Sequence, residues 1–233
     1  MNEPAPELSI VVPFFNEEAN VAALIAEIRA VADEQRWRVE VIAVDDGSAD
    51  GTGRELANCA AAWAAVRVIS FPQNRGQAAA LWAGLHAARA PLIATLDGDG
   101  QNVPADLPAL RALLENCDLA VGWRAQRNDS ALRRAMSRVA NAVRGRVMGD
   151  RLHDSGCALK VMRREVVGCL LPIKSLYSFI PAMAVAAGFR LGELPVRHRE
   201  RRHGNSSYGL GVMWWRPGVD MLALKWMLVR RIR

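Results

Sequence analysis

Leu92-Ile-Ala-Thr-Leu-Asp-Gly-Asp-Gly-Gln-Asn-Val-Pro104 is the stretch on which the reading of this chain turns. Its first five residues form a short apolar run, the pattern of a buried strand. The run ends at Asp97, and Gly98 and Gly100 give the backbone freedom to turn and to approach a ligand closely. Asp97 and Asp99 lie two apart, and paired carboxylates repel unless a cation sits near them. A hard divalent ion that bridges diphosphate oxygens relieves that repulsion, and Gln101 adds a neutral oxygen ligand on the same side. The tripeptide alone is ambiguous, because a turn whose acids cap the helix after Pro104 has the same composition.

Outward from this stretch, strands and helices alternate. Leu8-Ser-Ile-Val-Val12 is a β-branched apolar run stopped by Pro13, and Asn16 to Ala32 has helical spacing (Val21, Leu24, Ile25, Ile28, Val31) with Asn16 as N-cap. Val39 to Val44 is a second strand that ends in the turn composition Asp45-Asp46-Gly47-Ser48. Asp50 caps a helix to about Ala65, Val66 to Ile69 is a strand, and Gln77 to Ala88 a helix. Beyond the opening stretch come a helix over Leu107 to Leu114 and a strand over Asp118 to Gly122. This order predicts an α/β domain with a mainly parallel sheet and helices on both faces. Ligands of such sheets bind beyond the carboxyl ends of the strands. Pro13-Phe-Phe-Asn-Glu17, Asp45-Asp46 and Asp97-Gly-Asp99 all fall there, so three loops point to one site.

The second half reads differently. An Arg-rich helix is expected from Asn128 to about Met148, then a mixed segment, a strand over Gly188 to Arg197, and a loop from Arg199 to Tyr208 without a core pattern. Val212 to Arg233 intersperses Trp214, Trp215, Leu222, Leu224, Trp226 and Val229 with Arg216, Asp220, Lys225 and Arg230. Its apolar runs fall short of the roughly 18–20 residues that a spanning helix needs. The chain therefore divides into a main α/β domain over 1–211 and an amphipathic helical tail over 212–233. Tryptophans beside arginines suit a helix at a membrane interface, and an internal or oligomer-forming helix fits as well.

The 233 residues suffice for one large α/β domain, and 51% apolar with 23% charged residues excludes wholesale disorder. The 30 Lys and Arg outnumber the 24 Asp and Glu, with much of the basic excess from Arg124 onward. That asymmetry points to anionic partners such as phosphates or acidic lipid headgroups. Helix-turn-helix, zinc-finger and RNA-platform signatures are missing, so nucleic acid is not an expected partner. Cys59, Cys117, Cys157 and Cys169 are scattered, which predicts free thiols. The N-terminal stretch has no basic region or cleavage site of a secretory signal, so a cytoplasmic location is expected. His86 and Cys157 read as packing residues, and Trp63, Trp82 and Trp123 as core or pocket wall.

Several motifs occur in a set order: Pro13-Phe-Phe-Asn-Glu17, Val44-Asp-Asp-Gly-Ser48 with Asp50, Asn74-Arg-Gly76, and Leu96 to Pro104. Gly122-Trp-Arg124, Arg133 with Ser137-Arg138 and Asn141, His153-Asp-Ser-Gly-Cys157 with Lys160, and Arg201 to Tyr208 follow. Over residues 8 to about 208 the set resembles the inverting family-2 glycosyltransferases of GT-A (Rossmann-like) fold. The closer likeness is to the dolichyl- or polyprenyl-phosphate mannose synthase branch.

The resemblance implies that Pro13, Phe15, Glu17, Val44 and Asp46 line the base and ribose of a UDP- or GDP-sugar. Asp97, Gly98 and Asp99 would face the diphosphate and sugar, with Asp99 and Gln101 as ligands of Mg²⁺ or Mn²⁺. Arg124, Arg133 and Arg201 would hold donor and acceptor phosphates, since guanidinium forks match phosphate oxygens. The implied acceptor is a polyprenyl phosphate, on the cytoplasmic face of the membrane. Such a phosphate is already ionised at pH 7, so it attacks the anomeric carbon with little proton chemistry. Asp154 stands where hydroxyl-glycosylating relatives place a base, or else orients the sugar or a lid. The sequence departs from the pattern at Phe15, where a Tyr is common, and at Ser207, where a Lys is usual. Same-fold transfer to a sugar hydroxyl, and a silent nucleotide-sugar-binding or scaffold protein, are the competing readings. The arginines and the Trp/Arg tail favour the lipid phosphate; Ser207 favours the silent protein; Asp97, Asp99 and Gln101 oppose it.

Overall fold

The computed structural model describes residues 5–125, 144–150, 152–200 and 212–230. The first half alternates as the sequence predicts: β1 (Leu8–Phe14), α1 (Glu18–Gln35), β2 (Val39–Asp45), α2 (Thr52–Ala62), β3 (Val66–Ser70), α3 (Gln77–Ala87) and β4 (Leu92–Thr95). A 3₁₀ turn (Pro104–Asp106) leads into α4 (Leu107–Leu113) and β5 (Leu119–Arg124). β6 (Lys160–Arg163), α5 (Leu176–Ala186), β7 (Leu191–Val196) and α6 (Val212–Arg230) follow. One seven-stranded sheet has the order β3-β2-β1-β4-β6-β5-β7. All pairings are parallel except those of β6, which runs antiparallel to β4 and β5.

Successive side chains of a strand point to opposite faces, and both faces here are covered. Ile10, Val12 and Phe14 of β1 join Val21, Leu24, Ile28, Leu56 and Leu107 on one side. Val11 joins Ile42, Leu81, Leu85, Phe179 and Leu224 on the other. This two-sided burial makes the central strands continuous apolar runs rather than alternating ones.

Several local expectations need correcting. Pro13 does not stop β1, which continues to Phe14. It lies past the last β1–β4 pair, Val11 with Thr95, where the missing N–H removes no ladder bond. Asn16 does not cap α1; it sits at φ 54°, and its Oδ1 accepts from the Ala49 N–H at 2.8 Å. α2 ends at Ala62, where Trp63 turns extended. His86 is exposed, its ring tilted at 34° against Trp82 with centroids 4.1 Å apart, rather than packed in the core. Cys157 is buried as expected, and all four cysteines are free.

The amino ends of the strands are pinned by charge. Glu40 accepts from the Ser9 hydroxyl at 2.7 Å, Arg67 at 2.7 Å, and the Arg89 main chain and Nε at 2.6 and 3.0 Å. Burial pushes this carboxyl up, yet those donors hold it below its ordinary value. The carboxyl ends are left for the loops.

One face of α6 packs inward. Leu224 is buried, Met221, Met227 and Leu228 pack on the second core, and Asp220 accepts from the Ser175 N–H and hydroxyl at the start of α5. Val219, Leu222, Trp226 and Val229 are exposed on the other face. No described helix is long and apolar enough to cross a membrane.

Candidate active site

The loops after β1 and β2 are stitched together. The Asn16 N–H donates to the Ser48 hydroxyl (3.0 Å), the Glu17 N–H to the Thr52 hydroxyl (2.8 Å), and the Gly51 N–H to Glu18 (3.0 Å). Asp46 then catches the loop before α3, accepting from the Asn74 amide (3.0 Å) and from the Arg75 and Gly76 N–H groups (2.7 and 2.9 Å). Burial leaves its carboxyl raised despite the two backbone donors that lower it.

The same loop reaches the acidic strand end. Gln77 Nε2 donates to Asp97 Oδ1 at 2.6 Å, and the Asp97 N–H donates to Asn102 Oδ1 at 3.0 Å. The Gln101 N–H donates to Asp99 Oδ1 at 3.1 Å. Gly98 lets this loop sit on the end of β1, because a Cβ there would lie 2.6 Å from both the Phe14 ring and the Pro13 carbonyl oxygen. The carbonyl is backbone and cannot swing away. Gly98→Ala is therefore expected to destabilise the fold by about 2–3 kcal/mol through overpacking and to displace both flanking carboxylates. Denaturant unfolding reads the first effect, and a drop of more than about tenfold in the activity that the resemblance implies reads the second.

Burial, and then the neighbouring Asp99, push Asp97 up to about 6, while Lys160, Arg124 and the Gln77 hydrogen bond act against the rise. Arg124, at the end of β5, holds Asp154 by two points, Nε to Oδ2 at 2.6 Å and Nη2 to Oδ1 at 3.0 Å. Lys160 is buried on β6, donates to the Cys157 carbonyl, and is lowered by its burial although Cys157, Asp97 and Asp154 favour its charge. Two acids of the strand ends and two cations of the second half thus form one electrostatic cluster.

The exit from β7 crosses the acidic loop. Asn102 and His198 form an antiparallel bridge, the Arg199 N–H donates to the Gln101 carbonyl at 2.9 Å, and Gln101 Nε2 donates to the Arg199 carbonyl at 3.3 Å. That contact turns the Gln101 amide so that Oε1 is the end left for a ligand. Among the described residues no three His, Cys, Asp or Glu gather into a metal cage. An ion of the Mg²⁺ type takes one or two protein oxygens and completes its shell with water and phosphate oxygens, so Asp99 with Gln101 fits such an ion.

The structure brings Pro13, Phe15, Glu17, Asp46, Asp97, Gly98, Asp99, Gln101, Arg124 and Asp154 to the carboxyl ends of the strands. Val44 differs: its side chain is fully buried in the second core, which leaves only its main chain for a ligand. Arg133, Arg201 and Ser207 lie outside the described residues. Sequence reasoning missed Gln77 and Asn102 as partners of Asp97; Gln77 directly follows the Asn74-Arg-Gly76 motif, and Asn102 lies within the Leu96–Pro104 motif, but neither position indicated that contact.

The sequence profile described as Glycosyl transferase family 2 matches residues 9–171. The dodecaprenyl-phosphate galacturonate synthase of Rhizobium johnstonii is 39% identical, over 100% of this chain and 71% of its own length. The undecaprenyl-phosphate 4-deoxy-4-formamido-L-arabinose transferases of Aeromonas hydrophila and Pseudomonas aeruginosa are each 38% identical. They cover 87% and 88% of this chain, which spans 63% and 61% of their lengths. Among solved structures, glucosyl-3-phosphoglycerate synthase of Mycobacterium tuberculosis, crystallised with Mn²⁺, UDP and glucosyl-3-phosphoglycerate, superposes with a TM-score of 0.69. It covers 94% of this chain and 80% of its own at 19% identity, a likeness of fold. With most of its length inside the family profile and a relative 39% identical along all of it, this chain belongs to glycosyl transferase family 2.

Proposed function

We propose that this glycosyltransferase passes a sugar from a UDP- or GDP-linked donor to a polyprenyl phosphate, with inversion at the anomeric carbon. The observation that carries the reading is the Arg124 guanidinium, fixed on Asp154 at 2.6 and 3.0 Å at the end of β5, on the same rim as the Asp97 and Asp99 carboxylates. That placement sets a phosphate-binding fork on the rim that carries carboxylates suited to a metal and a diphosphate. The polyprenyl-phosphate substrates in the relatives' names support the acceptor. Asp46, Glu17 and Phe15 hold the base and ribose. Asp99 and Gln101 hold Mg²⁺ or Mn²⁺, which when bound supplies charge neutralisation of the departing diphosphate. Asp97 faces the donor. Arg124, with Arg133 and Arg201, holds phosphate.

The test is a panel of labelled UDP- and GDP-sugars offered with Mg²⁺ or Mn²⁺ and a short polyprenyl phosphate. Label moving to the lipid phase supports the reading. Transfer to water-soluble acceptors only, or nucleotide binding without turnover, opposes it and favours hydroxyl transfer or a silent binding protein.

The exposed face of α6 completes the proposal as a surface for the cytoplasmic leaflet. Val219, Leu222, Trp226 and Val229 form one apolar stripe, and the Arg230 guanidinium lies 5.0 Å from the centre of the Trp226 ring. Apolar groups beside cations match an anionic headgroup layer. Leu222→Glu with Trp226→Glu is expected to weaken binding to anionic vesicles at least about tenfold, since each buried large side chain contributes roughly 1.5–3 kcal/mol. Melting should be unchanged, because both positions are exposed. Unchanged vesicle binding, or a dimer that masks Trp226 instead, counts against the membrane face.

A further inference from the structure

Asp154 stands where hydroxyl-glycosylating relatives place a base, and its surroundings suit another task. Both carboxylate oxygens are committed to Arg124, at 2.6 and 3.0 Å, in a two-point pair. The Arg124 N–H lies 3.4 Å from Oδ2 and the Gly156 N–H donates to Oδ1 at 3.2 Å, so the main chain on both sides fixes the same group. The two side chains are 8% and 19% exposed. A general base must aim an oxygen at the proton it takes, and both oxygens of Asp154 are turned onto Arg124 instead. Arg124 gains what Asp154 gives up. Its Nε and Nη2 are fixed, and Nη1 has no partner among the described residues. The side chain also interacts with Asp97 across the site. A planar guanidinium held by one edge presents its other edge in a set direction, and that edge matches phosphate oxygens.

We propose that Asp154 is a positioning residue for Arg124, fixing the guanidinium so that its Nη1 edge meets a phosphate oxygen, and that it accepts no proton during transfer. The inference rests on the reading of this rim as a transfer site. The phosphate belongs to the acceptor or to the departing diphosphate.

The experiment compares the full chain with Asp154→Asn, Asp154→Glu, Arg124→Gln and the double variant Arg124→Gln/Asp154→Asn. Transfer is followed from pH 6 to 9, and binding of UDP, GDP and a short polyprenyl phosphate is followed without turnover. Asp154→Asn is expected to raise the KM and Kd of the phosphate ligand about ten- to hundredfold, the scale of a charge-assisted hydrogen bond. The pH profile should keep its shape, the double variant should be no worse than Arg124→Gln, and Asp154→Glu should recover most of the loss. Weaker polyprenyl phosphate binding with intact nucleotide binding assigns the edge to the acceptor; the reverse assigns it to the diphosphate. A kcat loss of about 10²–10⁴ at constant KM, with the acid limb of the profile gone, is the signature of a base and overturns the proposal. So do penalties that add in the double variant, or unchanged affinity for both ligands. Wild-type protein that transfers to no acceptor sinks the proposed function alone, because the binding comparison still decides the pair. Should Asp154→Asn fail to melt cooperatively, Asp154→Glu and Arg124→Gln carry the comparison.

Discussion

Asp99→Asn is expected to lower sugar transfer by about three orders of magnitude while leaving the protein folded. The substitution is nearly isosteric, and the new amide oxygen can still accept from the Gln101 N–H, now 3.1 Å from Asp99 Oδ1. What disappears is one negative charge at the position proposed to hold the metal. A divalent ion on a departing diphosphate supplies several kcal/mol of charge stabilisation, and each 1.4 kcal/mol is a factor of ten. The loss should be accompanied by a shift of the Mg²⁺ or Mn²⁺ dependence to higher concentration and by loss of metal-assisted nucleotide binding. Full activity at unchanged metal concentration would remove Asp99 from the metal site.

Asp97→Asn is expected to act in opposite directions on stability and on rate. The folded carboxyl titrates at about 6, above its ordinary value of 3.8, because of burial and then Asp99. The folded state thus binds this proton more tightly than the unfolded chain, so ionising Asp97 inside the fold destabilises it. That penalty is absent below about pH 4, where both states are protonated, grows through the interval, and is full above about pH 6. One pKa unit corresponds to about 1.4 kcal/mol, and with discount for the partly open site the penalty is about 2 kcal/mol. The Asn variant has no charge to bury. Without metal it should melt about 4–8 °C above the parent at pH 8 and together with it near pH 4, given the size of the domain. Transfer should nonetheless fall by more than about a hundredfold, because the donor-facing charge is gone. Calorimetry from pH 4 to 8 decides the stability half; an Asn variant less stable at pH 8 contradicts the origin given for the shift. Functional sites commonly carry such strain.

Much of the fold was legible because the strands that build the rim are buried on both faces. Leu8 to Val12, Val39 to Val44 and Leu92 to Leu96 are apolar runs that leave few other readings, and the acids that follow each mark the ligand side. β6 and α5 were hidden for physical reasons. Lys160 to Arg163 is four residues bounded by cations, and its Lys160 is buried by a charge cluster that no local pattern reveals. Leu176 to Ala186 contains Pro181 and is apolar nearly all round, so it lacks the two-sided period of a surface helix.

At the site, residue types were readable but partnerships were not. Asp46 and Asp97 are both held by the loop of residues 74–77, a contact that arises only when β1 lies between β2 and β4. Val44 illustrates the converse. Within a strand buried on both faces, sequence alone did not say which side chains end at the rim and which in the core. Asp154 was recognised by position, whereas its engagement with Arg124, 30 residues away, required the antiparallel insertion of β6 between β4 and β5.

The most direct test of phosphate-acceptor transfer offers one donor, with Mg²⁺, to a short polyprenyl phosphate and in parallel to the polyprenol of the same chain length. The proposed mechanism predicts product from the phosphate alone, with the sugar of inverted anomeric configuration and a rate that Asp99→Asn lowers by about three orders of magnitude. Equal or faster transfer to the alcohol, or a product of retained configuration, would contradict it.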